Sequence, residues 1–203
     1  MSMFRPAAIL LAVSLCAACA GAPPPKDNFY RLEVPSPAQA APRPILPGVL
    51  EVSRLGADGL ASERAIVHVD RAAPLSVRNY AYEFWTDPPG LLVQDALVKY
   101  LRAANAAETV LTSDLRALPD AIVQGHIRRF ERVTGDRPAV VAEIELGVSG
   151  RTAGKPILLR TYRVERPVPP DGGVAAAAQA MNEALAELFG RFVADLAAVA
   201  PRA

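Results

Sequence analysis

The stretch from Ala139 to Ser149 alternates without a fault: Val140, Ala142, Ile144, Leu146 and Val148 fall on one side, Glu143 and Glu145 on the other. A period of two held this long is the pattern of a strand with one buried face. Thr134-Gly135-Asp136-Arg137-Pro138 joins it to a long strand candidate, Ala121 to Val133, and a glycine-bearing loop from Gly150 to Lys155 leads on to Pro156–Arg166. Loops of this composition close hairpins, so the chain is committed to a three-stranded antiparallel meander. Such a sheet buries one face, and that face requires a cover.

Two helical patterns can supply the cover. After Pro89, residues Val93, Leu97, Tyr100, Leu101 and Ala104 form one stripe, and Asn105 is the expected terminator. After the rigid connector Pro167–Gly173, a second helix is predicted from Val174 to Val199. Met181, Leu185, Leu188, Phe192, Leu196 and Val199 mark its apolar face, widened by Phe189 and Val193. The alanines between Ala175 and Ala186 raise its helix propensity. Further strands are predicted at Phe29–Val34, Gly48–Leu55, Ala65–Asp70, Val77–Trp85 and Glu108–Thr112. The order predicts an α+β single domain: a mostly antiparallel sheet with two helices packed on one face.

The N-terminus reads as an export signal. Arg5 supplies a short positive region, and Ala7 to Leu15 is an apolar run too short to span a bilayer, which takes about 20 residues. Ala17 and Ala18 are small, and Cys19 follows them in the position of a lipid acceptor. The segment looks like a bacterial lipobox in which Cys16 stands where an aliphatic residue is usual; ordinary signal cleavage between Ala18 and Ala22 is the alternative. The resulting division is 1–18 signal peptide, 19–47 lipidated N-terminus and proline-rich tether, and 48–203 domain, with a first strand that can begin at Phe29. The tether carries Pro23, Pro24, Pro25, Pro35, Pro37, Pro42, Pro44 and Pro47 and is expected to be extended. Ala20, not Asp, follows Cys19, which by resemblance to enterobacterial lipoproteins sends the protein to the outer membrane. Two or three acyl chains such as palmitate would hold it there durably.

The remainder of the sequence offers little chemistry. Both cysteines, Cys16 and Cys19, lie in the N-terminal segment, so the body has no disulfide, thiolate metal site or cysteine nucleophile. No phosphate loop, nucleophile elbow or metalloprotease motif occurs. His68 and His126 read as ordinary strand residues, and no metal or cofactor is expected. Arg128, Arg129, Arg132 and Arg137 form the main basic cluster. With 22 basic against 21 acidic residues and one nearby aromatic, Phe130, nucleic acid is not the partner. The cluster reads first as a charge-guarded strand and second as a contact for an acidic partner or lipid headgroup. Tyr80, Tyr82 and Phe84 read as one core-facing set, with Trp85 on the other face, exposed at the sheet end. Tyr80, Tyr82, Trp85, Arg128 and Arg132 are the candidate partner-contact residues, and no residue is a catalytic candidate.

The blocks Tyr30-Arg31-Leu32, Arg78-Asn79-Tyr80-Ala81-Tyr82-Glu83-Phe84-Trp85-Thr86-Asp87-Pro88-Pro89 and Leu92-Val93-Gln94-Asp95-Ala96-Leu97, placed behind the lipobox, resemble the ABC-type transport auxiliary lipoprotein family, which includes the PqiC-like lipoproteins. The resemblance runs from about Phe29 to Val199 and is strongest at Tyr82…Trp85…Pro88. It implies a fold similar to the N-terminal domain of TolB. It also implies a non-enzymatic lipoprotein on the periplasmic face of the outer membrane. Its partners would be a periplasmic protein with mammalian-cell-entry (MCE) domains and the associated ABC permease and ATPase, which move phospholipids or other hydrophobic compounds. Docking as a ring of subunits is a further implication. The rival reading is a lipid-binding or assembly lipoprotein of another envelope machine, for lipopolysaccharide or outer-membrane-protein insertion.

Overall fold

The computed structural model describes residues 25–115, 117–151 and 156–200. The signal segment and Cys19 lie outside them. Nine strands and two helices occur in the order β1 (Asn28–Tyr30), β2 (Leu46–Val52), β3 (Gly56–Ala57), β4 (Ala65–Asp70), β5 (Ala73–Trp85), α1 (Pro89–Ala103), β6 (Ala107–Thr112), β7 (Ala121–Thr134), β8 (Ala139–Gly150), β9 (Leu158–Pro167) and α2 (Gly173–Val199).

The axis is β7. On one side it pairs antiparallel with β8 along nearly its whole length, and β8 pairs with β9. This is the meander the alternation predicts. On its other side β7 is shared by three shorter strands, all parallel to it: β2 at Ala121–Val123, β3 at His126–Ile127 and β4 at Glu131–Thr134. The sheet then forks. β6 extends it beyond β2, and β5 followed by β1 extends it beyond β4. The fold class stands as expected, and the long ladders are antiparallel. The parallel ladders are short and join strands distant in sequence, which alternation cannot reveal.

Both helices lie on the face that buries Val140, Ala142, Ile144, Leu146 and Val148. α1 packs over β2 and β6, α2 over β8 and β9, and the helices touch each other. Pro88 and Pro89 start α1: proline at the first helical position gives up no hydrogen bond. Gly90 is required there, because a Cβ would stand 2.4 Å from the Leu55 carbonyl oxygen. Asn105 ends the helix as expected, with φ of 56°. It then acts as a clasp: its side chain donates to the Ala41 carbonyl at 2.9 Å, and its own carbonyl accepts from the Ile45 N–H at 3.2 Å.

Through that clasp the proline-rich segment, expected as an extended tether reaching to Pro47, is bound to the domain. From Asn28 onward the chain belongs to the domain. Past β1, residues 31–45 cross the helix layer as a strap. Leu32 and Val34 are half-buried against the core, and Asn182 of α2, itself buried, accepts the Glu33 N–H at 2.7 Å while donating to the Ala178 carbonyl at 3.1 Å. The prolines keep the strap extended, and the two asparagines satisfy backbone groups that no strand partner reaches. Asn182→Ala should leave the Glu33 N–H without its acceptor and cost about 1–3 kcal/mol. Chemical unfolding and hydrogen exchange at residues 31–34 check this; protection unchanged from the parent protein would refute the strap's dependence on Asn182.

Candidate functional site

The sequence candidates separate into three places. Tyr80 and Arg132 are brought together on the helix face, at the edge where β4 and β5 run out beyond the helices. Arg132 Nη1 donates to the Tyr80 hydroxyl at 2.9 Å. The Tyr80 ring packs on His68, with centroids 4.3 Å apart. His68 is flanked across the ladders by Arg78 on β5 and Arg132 on β7. Burial first, and then those two guanidinium groups, hold the imidazole below its ordinary value against the opposing pull of Asp70. His68 is therefore a neutral aromatic platform at neutral pH. Arg132 Nε is buried without a partner, and Arg132 shares a small crevice with Val174, Ala177 and Met181 of α2.

Arg128 stands apart on the outer face. A register shift between Ile127 and Arg129 places it at a bulge, where it pairs with Glu145 at 3.3 Å. It borders an open outer groove of ≈ 450 Å³ with Leu60, Val67, Val69 and Val77. Tyr82 is exposed.

Trp85 is neither exposed nor at a partner surface, contrary to the expectation from phase. It is 3% exposed and packs on Phe130, centroids 5.2 Å apart. The cause is a register shift between Ala65 and Val67, which breaks the period of two in β5 and turns Trp85 inward. Tyr80, Tyr82 and Phe84 likewise fail to act as one core set. β5 lies outside the main helix layer, and Phe84 stacks on Phe29 of β1 at 5.7 Å. The blocks that carry the resemblance are thus mostly packing determinants. Gln94 is buried and donates to the Val52 carbonyl at 2.8 Å, tying α1 to β2.

Sequence reasoning missed the end of the sheet where β4 turns into β5. Arg71, in that turn, donates to the Arg137 carbonyl and to Glu165 on β9 at 2.8 Å, beside the small outer-face cluster of Val133, Ala139 and Val141. The Arg71 guanidinium, mainly through this hydrogen bond, holds the Glu165 carboxyl below its ordinary value of 4.5. A depressed carboxyl stabilises the fold above its unfolded value, and that contribution is lost as pH falls through the folded value. Arg71→Ala should raise the Glu165 value and flatten acid destabilisation below about pH 4.5; carboxyl titration by NMR with melting curves checks both. An unmoved Glu165 titration would refute the coupling.

These groups can hold an anion or pack against a surface, but none of them forms a nucleophile–base pair. Among the described residues no group of His, Cys, Asp and Glu is arranged to hold a metal ion. No helix among them is long and apolar enough to cross a membrane.

The fold matches that of solved proteins. Protein XCC0632 from Xanthomonas campestris superposes with a TM-score of 0.73 at 20% identity, covering 85% of this chain and 95% of that one. An uncharacterised protein gives 0.64 at 12% identity, over 85% and 99%. Subunits of a PelC dodecamer from Paraburkholderia phytofirmans are more distant, at 0.47 and 12%, over 83% and 94%. No curated protein sequence matches. The class that the first two of these similarities support is an α+β domain with a helix pair on one sheet face. The family model for the ABC-type transport auxiliary lipoprotein component matches residues 30–192. The chain belongs to that family.

Proposed function

We propose that this protein is a non-enzymatic lipoprotein held to the periplasmic face of the outer membrane through Cys19, and that it serves an MCE-type ABC system moving phospholipids or other hydrophobic compounds. The observation that carries this reading is the reach of the family match. It begins in β1 and ends within α2, so the whole folded domain, strap included, is the auxiliary component. Tyr82 and Arg128, both exposed on the sheet, are the partner-contact candidates that remain accessible. Tyr80 and Arg132 form a half-buried cationic-aromatic edge on the helix face, opposite the outer face that carries Arg128.

Photo-crosslinking residues placed at positions 82 and 128 in growing cells, followed by identification of the captured proteins, test the proposal. An MCE-domain protein or its permease is the expected partner. Capture confined to lipopolysaccharide or outer-membrane-protein assembly components would overturn it.

A further inference from the structure

The least explained side chain in the molecule is Leu75, which is 96% exposed. It sits beside the β4–β5 turn, within a bulge. Asp70 pairs with Ala73 and Val69 with Val77, so Pro74, Leu75 and Ser76 have no counterparts on β4. Bulges re-aim side chains, and this one presents a leucine to solvent next to the exposed Val77. The tip is held firmly. The Asp70 carboxylate accepts the Ala72 N–H at 2.8 Å, the Arg71 N–H donates to the Thr134 carbonyl at 3.0 Å, and Arg71 also grips the β7–β8 loop and Glu165. At this end of the sheet Arg71, Arg78 and Arg137 are matched by Asp70, Asp136 and Glu165, with Arg71 paired to Glu165 and Arg137 to Asp136, so the local charge is balanced.

The path of the chain gives this tip a location. β1 runs parallel to β5, with Asn28 level with Glu83. Because β5 runs away from the tip, the chain preceding Asn28 leads back toward it, and Asp27 lines the same groove as Asn79, Tyr80 and Ala81. Cys19 is nine residues before Asn28, a reach of about 30 Å at most. Along the ladder, the tip lies five steps of β4 from the level of Ala65, or about 17 Å. Ala65 is level with Phe29, so Asn28 lies about 13 Å from the tip, and the nine residues back to Cys19 are long enough to reach the tip and at most about 17 Å beyond it. Headgroup layers are about 5–8 Å deep on each side of a bilayer. The strap matters here: with residues 31–45 bound to the helices, only the residues before Asn28 can set the distance between the domain and Cys19.

We infer that the β4–β5 tip, with Leu75 at its apex, rests in the headgroup layer of the membrane that holds Cys19, as a second and shallow contact that orients the domain. The inference rests on the lipidation of Cys19. One leucine and a valine would not retain a free domain on lipid, but beside an anchor the contact is intramolecular, and a high effective concentration makes a weak contact persistent. The near balance of charge makes the contact apolar and insensitive to salt.

The test uses the full chain, purified from bacterial membranes after palmitate labelling and reconstituted into vesicles of phosphatidylethanolamine and phosphatidylglycerol. Ser76→Cys supplies a reactive thiol for an environment-sensitive fluorophore, and Leu159→Cys, exposed at the opposite end of the sheet, is the control. The expected result is a blue-shifted emission at position 76, quenched by nitroxide-bearing lipids. It should be absent at position 159 and abolished at position 76 by adding Leu75→Asp. Leu75 is solvent-exposed, so that change leaves the fold intact. Palmitate label with position 76 as water-exposed as position 159 overturns the inference and leaves the anchor standing. Absence of label overturns both.

Discussion

Replacing Cys19 with Ala should transfer the protein from the membrane fraction to the soluble fraction and abolish palmitate incorporation. The expected effect is close to complete. No helix among the described residues can cross a bilayer, and each buried acyl CH₂ contributes about 0.8 kcal/mol, so the loss of two or three chains removes nearly all affinity for lipid. The tip contact at Leu75 is too small to compensate. Cys16→Ala should change neither readout, because Leu15 before it is a poor fit to the peptidase site. If the Cys19→Ala variant stays with membranes and still takes up label, the acceptor is another residue and the anchor assignment fails.

Phe189→Ala should be the most damaging single substitution in the core, at about 3–5 kcal/mol. Phe189 is wholly buried at the junction of the two helices, where its ring meets Tyr100 edge-on with centroids 5.5 Å apart. Removing it leaves a void between elements that the sheet holds apart, so collapse cannot fill it. Domains of this kind are stable by only about 5–15 kcal/mol, and the melting temperature should fall by roughly 10 °C. Phe189→Leu should lose much less. Equal losses for the two variants would show that the site tolerates a cavity and that the helix junction is not where the core is concentrated.

How much of this was legible in the sequence depended on whether local pattern or distant pairing decided the outcome. The meander and both helices follow from unbroken periodicity and from proline and asparagine at the helix ends, all local signals. Trp85 defies its phase because one register shift interrupts the strand between Asn79 and Phe84, and a bulge leaves no mark on composition. The strap is hidden from the sequence for a related reason. Proline content specifies an extended chain but not whether something binds it, and its holders, Asn105 and Asn182, are 64 and 149 residues from the groups they grip. Arg132 and Tyr80 were both singled out, yet their contact arises only because β4 inserts between β5 and β7. Leu75 lies outside the strand that the alternation predicts, Val77–Trp85, because the bulge breaks the pattern before Val77.

The continuity of β7 gives the domain a fixed height. Its 14 residues span about 43 Å. The Leu75 tip lies at one end of the strand, and the exposed Leu115, Leu118 and Leu159 lie toward the other. With the tip as the footing inferred above, the molecule would act as a strut: footing and far apolar end would be separated by a length set by backbone geometry, not by linker composition. Inserting residues between Cys19 and Asn28 would loosen the footing without lengthening the strut. A transporter component meeting the far end would therefore do so some 40 Å from the lipid surface.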